Sequence, residues 1–173
     1  DLSKNDIRQN YQTVVQALAR AFAFLQLKCG VTAIKKLHYQ LLMWPIALTF
    51  INDEMWKSKK VHKKLEAWYW STAFHSYFSR NQNANAISDL NKIEKWVKSE
   101  TQENPFNRRV DQIFDEEEYC NEGIMLNEDE EIHPPKAISL FLEQFILSLE
   151  PRNFMHEDDH NDLKKLSAYD VAF

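Results

Sequence analysis

The chain has 173 residues, 44 % of them hydrophobic, a formal net charge of −5 and only two glycines, Gly30 and Gly123. A chain this long buries roughly 70 % of its unfolded surface and needs no disulfide or metal to hold a core. Phosphate-cradling loops and dinucleotide turns need clustered glycines, so P-loop and Rossmann nucleotide sites are excluded, and the acidic balance is not that of a duplex-DNA-binding domain.

Few glycines and five prolines also argue against many tight hairpins, which leaves an all-α fold. Cys29 and Cys120 lie far apart and are expected as free thiols in a reducing compartment. The longest apolar run, Leu41 to Ile51, has eleven residues and contains Pro45 and Thr49. A bilayer span needs about 20 residues, so this run is expected in a core. With no signal-peptide pattern at the start, the expectation is a soluble cytoplasmic protein with no membrane partner.

In chain order, "SKNDIRQNYQTVVQALARAFAFLQLKCG" predicts one long helix. Ser3 and Asp6 resemble a capping box, Ile7, Tyr11, Val14, Leu18, Ala21, Phe22 and Leu25 form the apolar stripe, and Gly30 ends it. The next segment, 31–53, becomes apolar nearly all round in its second half, as a buried helix is. Pro45 there either kinks that helix or sits in the first turn of a new one.

Ser58 is a possible cap for a helix over about 59–79, which contains "EAWYWSTAFHSYFS", residues 66 to 79. At 100° per residue, Val61, Leu65, Trp68, Tyr69 and Thr72 share one face, and Trp70, Phe74, Tyr77 and Phe78 share the opposite one. Two apolar faces predict a helix sandwiched between others. "NANAISDLNKIEKWVKS" predicts a fourth helix with Ile87, Leu90, Ile93 (or Glu94) and Val97 as its stripe. Residues 100–133 are polar and acidic, and read as an irregular connection with one or two short helices or a strand near Gly123 to Leu126. "PPKAISLFLEQFILSLEP" is a clear helix, with Ile138, Phe141, Leu142, Phe145, Ile146 and Leu149 inward and Pro151 as its stop. The tail adds a last short helix. The expected fold is one all-α domain over 1–173, an irregular bundle of five or six helices around the aromatic-rich one at about 59–79. Its core would include Trp68, Trp70, Phe74, Tyr77, Leu90, Phe141 and Phe145.

Candidate chemistry is sparse. His156 and His160 stand at i, i+4, which on a helix lets both imidazoles grip one metal. The intervening "EDD" lacks the zincin glutamate and no third ligand is identifiable, so a solvated acidic loop is the favoured reading. The runs "DEEE" (115–118) and "NEDEE" (127–131) lack the spaced ligands and glycine of a calcium loop. No catalytic residue is assigned, and no cofactor is expected. The basic patches are Lys57, Lys59, Lys60, Lys63 and Lys64, followed by Arg108 and Arg109. They are candidate contacts for a phosphate backbone or a partner's acidic surface, against the plainer reading of a solvated face. Stacking of bases on the aromatic run is disfavoured because no Lys or Arg interleaves it between Lys64 and Arg80.

The stretch "KKLEAWYWSTAFHSYFSRNQNANAISDLNKIEKWV" resembles a segment of GmrSD-type modification-dependent restriction endonucleases. Trp68, Tyr69, Trp70, Phe74, Tyr77, Asp89 and Leu90 occupy the matching places. The resemblance covers about residues 31–99, and 135–173 more loosely. It implies a helical middle module of a longer protein, flanked by a ParB-like, nucleotide-using domain with an Asp-Gly-Gln-Gln-Arg signature and by a His-Asn-His nuclease domain. Neither signature is in this chain. The parent would be an anti-phage endonuclease acting on modified foreign DNA, and this chain a non-catalytic brace whose partners are the flanking domains and, through the parent, DNA. The rival expectation is a stand-alone helical domain that binds a protein partner in a groove.

Overall fold

In the computed structural model, residues 4–75, 77–101, 103–115 and 136–149 are described. Seven α-helices occur among them: α1 (Lys4–Cys29), α2 (Met43–Thr49), α3 (Asp53–Lys57), α4 (Lys59–Phe74), α5 (Gln82–Lys98), α6 (Asn107–Asp115) and α7 (Lys136–Ser148). Short 3-10 turns at Ile34–Lys36, Gln40–Leu42 and Tyr77–Ser79 link them, and no strand occurs among the described residues. The architecture is all-α, with α4 packed against α1, α3, α5, α6 and α7. No described helix is long and apolar enough to cross a membrane.

Local chemistry sets the boundaries. Gly30 adopts φ +64, the left-handed conformation that terminates α1, and Val31 N–H donates back to the Leu25 carbonyl. Pro45 lies in the first turn of α2, so it starts a helix and kinks none. The sequence pattern assigns no helix to residues 54–57, between the segment 31–53 and the helix at about 59–79, and α3 occupies that gap. Its separate start comes from Asn52, whose side chain accepts from the N–H groups of Glu54 and Met55. Ser58 caps α4 through Val61 N–H. Arg20 of α1 fastens this corner, donating to the Phe50 carbonyl at the end of α2 and pairing with Asp53.

The core places Trp68, Tyr69, Phe24, Phe50, Phe78, Phe106 and Phe141 out of solvent. Val61, Leu65, Trp68, Tyr69 and Thr72 are all buried, as the angular reading of α4 requires. The opposite face is only half covered. Trp70 and Phe74 are partly buried. Helix α4 ends at Phe74 rather than at 79, so Tyr77 and the fully buried Phe78 sit in the 3-10 turn that follows. Phe145, which meets Trp70 edge-on at 5.3 Å, remains 39 % exposed. Phe145, Ile146 and Leu149 are therefore a rim, with Phe141 the buried anchor of α7.

Three further stripes need correction. On α1, Ala17, Ala21, Phe24 and Leu25 face the core, while Tyr11 and Val14 are exposed. On α2, Trp44 and Leu48 reach solvent, so that helix is buried on one side only. On α5, the buried line is Asp89, Ile93 and Trp96, with Leu90 and Val97 half-buried and Ile87 63 % exposed. Apolar spacing could not find that line, because its first member is an acid.

Candidate functional site

Asp89 is fully buried because three donors close around it. Its Oδ2 accepts from Trp68 Nε1 at 2.8 Å and from Arg109 Nη1 at 2.7 Å, while Oδ1 accepts from Arg109 Nη2. Arg109 Nη1 also donates to Thr72 Oγ1 at 2.8 Å. The guanidinium lies 3.6 Å from the Tyr77 ring centroid and 4.8 Å from that of Phe106. A bidentate fork with further hydrogen bonds and ring faces is what makes a buried ion pair tolerable. The cluster clamps α4, α5 and α6 at one point. Its charges satisfy one another out of solvent, so it is structural. This overturns the reading of Arg109 as a nucleic-acid or partner contact, whereas Arg108 is exposed.

Lys64 also leaves the list of surface contacts. It is buried, and its ammonium donates to the carbonyls of Trp96 at 2.6 Å, Thr101 at 3.1 Å and Ser99 at 3.2 Å. These carbonyls surround the C-terminus of α5, where a cation is favoured. Burial, and then neighbouring Lys60, lowers the Lys64 pKa from its usual value. Lys57, Lys59, Lys60 and Lys63 are exposed. Lys59, Lys60, Lys63 and Lys64 line a hollow of about 450 Å³ together with Ala67, Trp96 and Asn104.

A second buried polar chain joins α4 to α7. Tyr69 OH donates to Gln144 Oε1 at 2.6 Å, and Gln144 Nε2 donates to the Lys36 carbonyl at 3.1 Å. Burial, followed by the proximity of Cys29, pushes the Tyr69 phenol well above its ordinary value. It therefore stays neutral at physiological pH and serves as a donor.

An apolar groove lies open between α2 and α5. One cleft, about 340 Å³, is lined by Leu48, Ile51, Met55, Leu90 and Val97, with Asn52, Glu94 and Lys98 at its edge. A second, about 450 Å³, adjoins it through the shared Leu48 and Leu90 and adds Leu41, Trp44, Ala86 and Ile87. Trp44, 48 % exposed, and Ile87 are too large and too accessible to count as core. Glu94 and Lys98 pair with each other at this rim, and that partner lowers the Glu94 carboxyl pKa. No family model, curated protein or solved structure matches the chain.

Among the described residues no group of three or more His, Cys, Asp or Glu is placed to hold a metal. His156, His160, Cys120, the acidic run 127–131 and the tail helix lie outside the described residues. Of the basic candidates, the structure brings Lys59, Lys60, Lys63 and Lys64 to one hollow and sends Arg109 elsewhere. Sequence reasoning missed the groove because Trp44, Leu48 and Ile87 carry the same letters as core residues.

Proposed function

We propose that this chain is a non-catalytic helical module of a GmrSD-like anti-phage nuclease, and that its α2/α5 groove docks against a flanking domain of the same protein. The observation that carries the docking role is the exposed apolar line of Trp44, Leu48, Ile51 and Ile87 on two adjoining clefts. Contiguous apolar surface of this kind marks interaction sites in proteins. The parent's identity rests on the aromatic and Asp-Leu pattern of residues 63–97. A stand-alone interaction domain would use the same groove for a separate protein.

Two measurements test the reading. The open reading frame is expected to carry an Asp-Gly-Gln-Gln-Arg signature upstream and a His-Asn-His pattern downstream; a frame with neither removes the nuclease assignment. In the whole protein, Leu48→Glu with Ile87→Glu is expected to abolish cleavage while this module keeps its helical circular dichroism. Full cleavage by that folded variant removes the docking role.

A further inference from the structure

The side of α5 that faces away from the docking groove carries a separate basic surface. Lys59, Lys60 and Lys63 crowd the first turns of α4, where the positive end of the helix dipole disfavours cations. Such placement is unfavourable and is relieved by an anion. Among the described residues, none of these three lysines, nor Lys92 and Lys95 on α5, has a carboxylate ion-pair partner. The three α4 lysines line one hollow, Lys92 and Lys95 line a second of about 390 Å³, and Trp96 lines both. Lys64, the buried sixth cation, has its three donors spent on carbonyls of the segment 96–101 and holds the shared wall in place. Glu103 is the one carboxylate among the lining residues of either hollow.

We infer that this surface binds the phosphate backbone of a nucleic acid. Two adjoining hollows with five exposed lysines suit a chain of regularly spaced monoanions better than one compact anion. Contacts to phosphate carry no sequence information, so binding is sequence-independent.

The test is fluorescence anisotropy with the full chain, using a labelled 20-base-pair duplex and the corresponding single strand at 50 to 200 mM salt. The chain is expected to bind one or both, with affinity falling roughly 100-fold or more over that range. Lys59→Gln/Lys60→Gln/Lys63→Gln is expected to weaken binding at least about tenfold and to reduce the salt slope by roughly 2–3. Lys92→Gln/Lys95→Gln is expected to act in the same direction. Lys28→Gln/Lys35→Gln, on exposed lysines outside both hollows, is expected to change nothing. All these positions are exposed, so circular dichroism should be unchanged. Absence of binding to both probes, an unaltered slope in the folded triple variant, or displacement by inorganic tripolyphosphate at matched phosphate concentration overturns the assignment. Loss of the docking groove through Leu48→Glu/Ile87→Glu should leave this binding intact, so the two ideas fail separately.

Discussion

Removing Asp89 should be among the most damaging single changes in this protein. Asp89→Leu strips Arg109 of its only ion-pair partner among the described residues and leaves Trp68 Nε1 without its acceptor. Both members of the pair are nearly solvent-free, at 8 % and 0 % side-chain exposure, so water cannot take over. Breaking a buried pair in this way costs about 3–5 kcal/mol. Domains of this size typically have a total stability of about 5–15 kcal/mol, and at about 2–4 °C per kcal/mol the Tm should fall by roughly 6–20 °C. Arg109→Met alone leaves a buried carboxylate with only the Trp68 donor, and should cost a similar amount. The double variant Asp89→Leu/Arg109→Met removes both charges and keeps apolar volume. Its main remaining defect is the unpaired Trp68 N–H, worth about 1–3 kcal/mol. Urea denaturation followed by circular dichroism and tryptophan fluorescence measures all three. The double variant should therefore be more stable than either single one, a coupling of several kcal/mol. Additive losses, or a loss under about 1 kcal/mol for Asp89→Leu, would refute the claim that this pair clamps α4, α5 and α6.

Three further outcomes are expected. A Cβ at Gly30 would collide with the Gln144 carbonyl oxygen in a backbone conformation that alanine disfavours, so Gly30→Ala should cost roughly 2–5 kcal/mol in the same denaturation assay. Trp68→Ala should cost about 3–5 kcal/mol and Trp70→Ala about half as much, because Trp70 is only partly buried; equal losses would mean that the outer face of α4 is sealed. The Tyr69 phenol, held neutral by burial, should make stability fall as pH rises above about 10, where the unfolded chain ionises and the folded one does not. That fall has a limiting slope of about 1.4 kcal/mol per pH unit. Tyr69→Phe, compared with the parent across pH 9 to 11, should remove it, and an identical pH profile in both proteins would show that the phenol ionises freely in the folded state.

The helices themselves were legible because their signals are local. Ser58 before a run of helix formers, Gly30 after one and Pro45 in a first turn act through the backbone within a few residues. Most of the inward face of α4 could also be read, since Val61, Leu65, Trp68, Tyr69 and Thr72 share one angular sector and all five are buried. The rule failed at Asp89. Hydrophobic periodicity assigns an acid to the surface, and only the arrival of Arg109 from α6, twenty residues later, makes its burial affordable. It failed likewise at Lys64, which reads as one more solvated lysine until the end of α5 presents three carbonyls to it.

Composition and local spacing specify a helical chain built around an aromatic helix, with no glycine-rich nucleotide loop. Those properties follow from composition and from spacing along one strand of chain. The tertiary structure decided which apolar side chains were left over and which charges were spent. Trp44 and Ile87 differ from Trp68 and Ile93 only in what packs against them, and Arg109 differs from Arg108 only in meeting Asp89. Burial and ion pairing are relations between residues distant in sequence, so the docking groove and the basic surface became visible only once the helices were assembled.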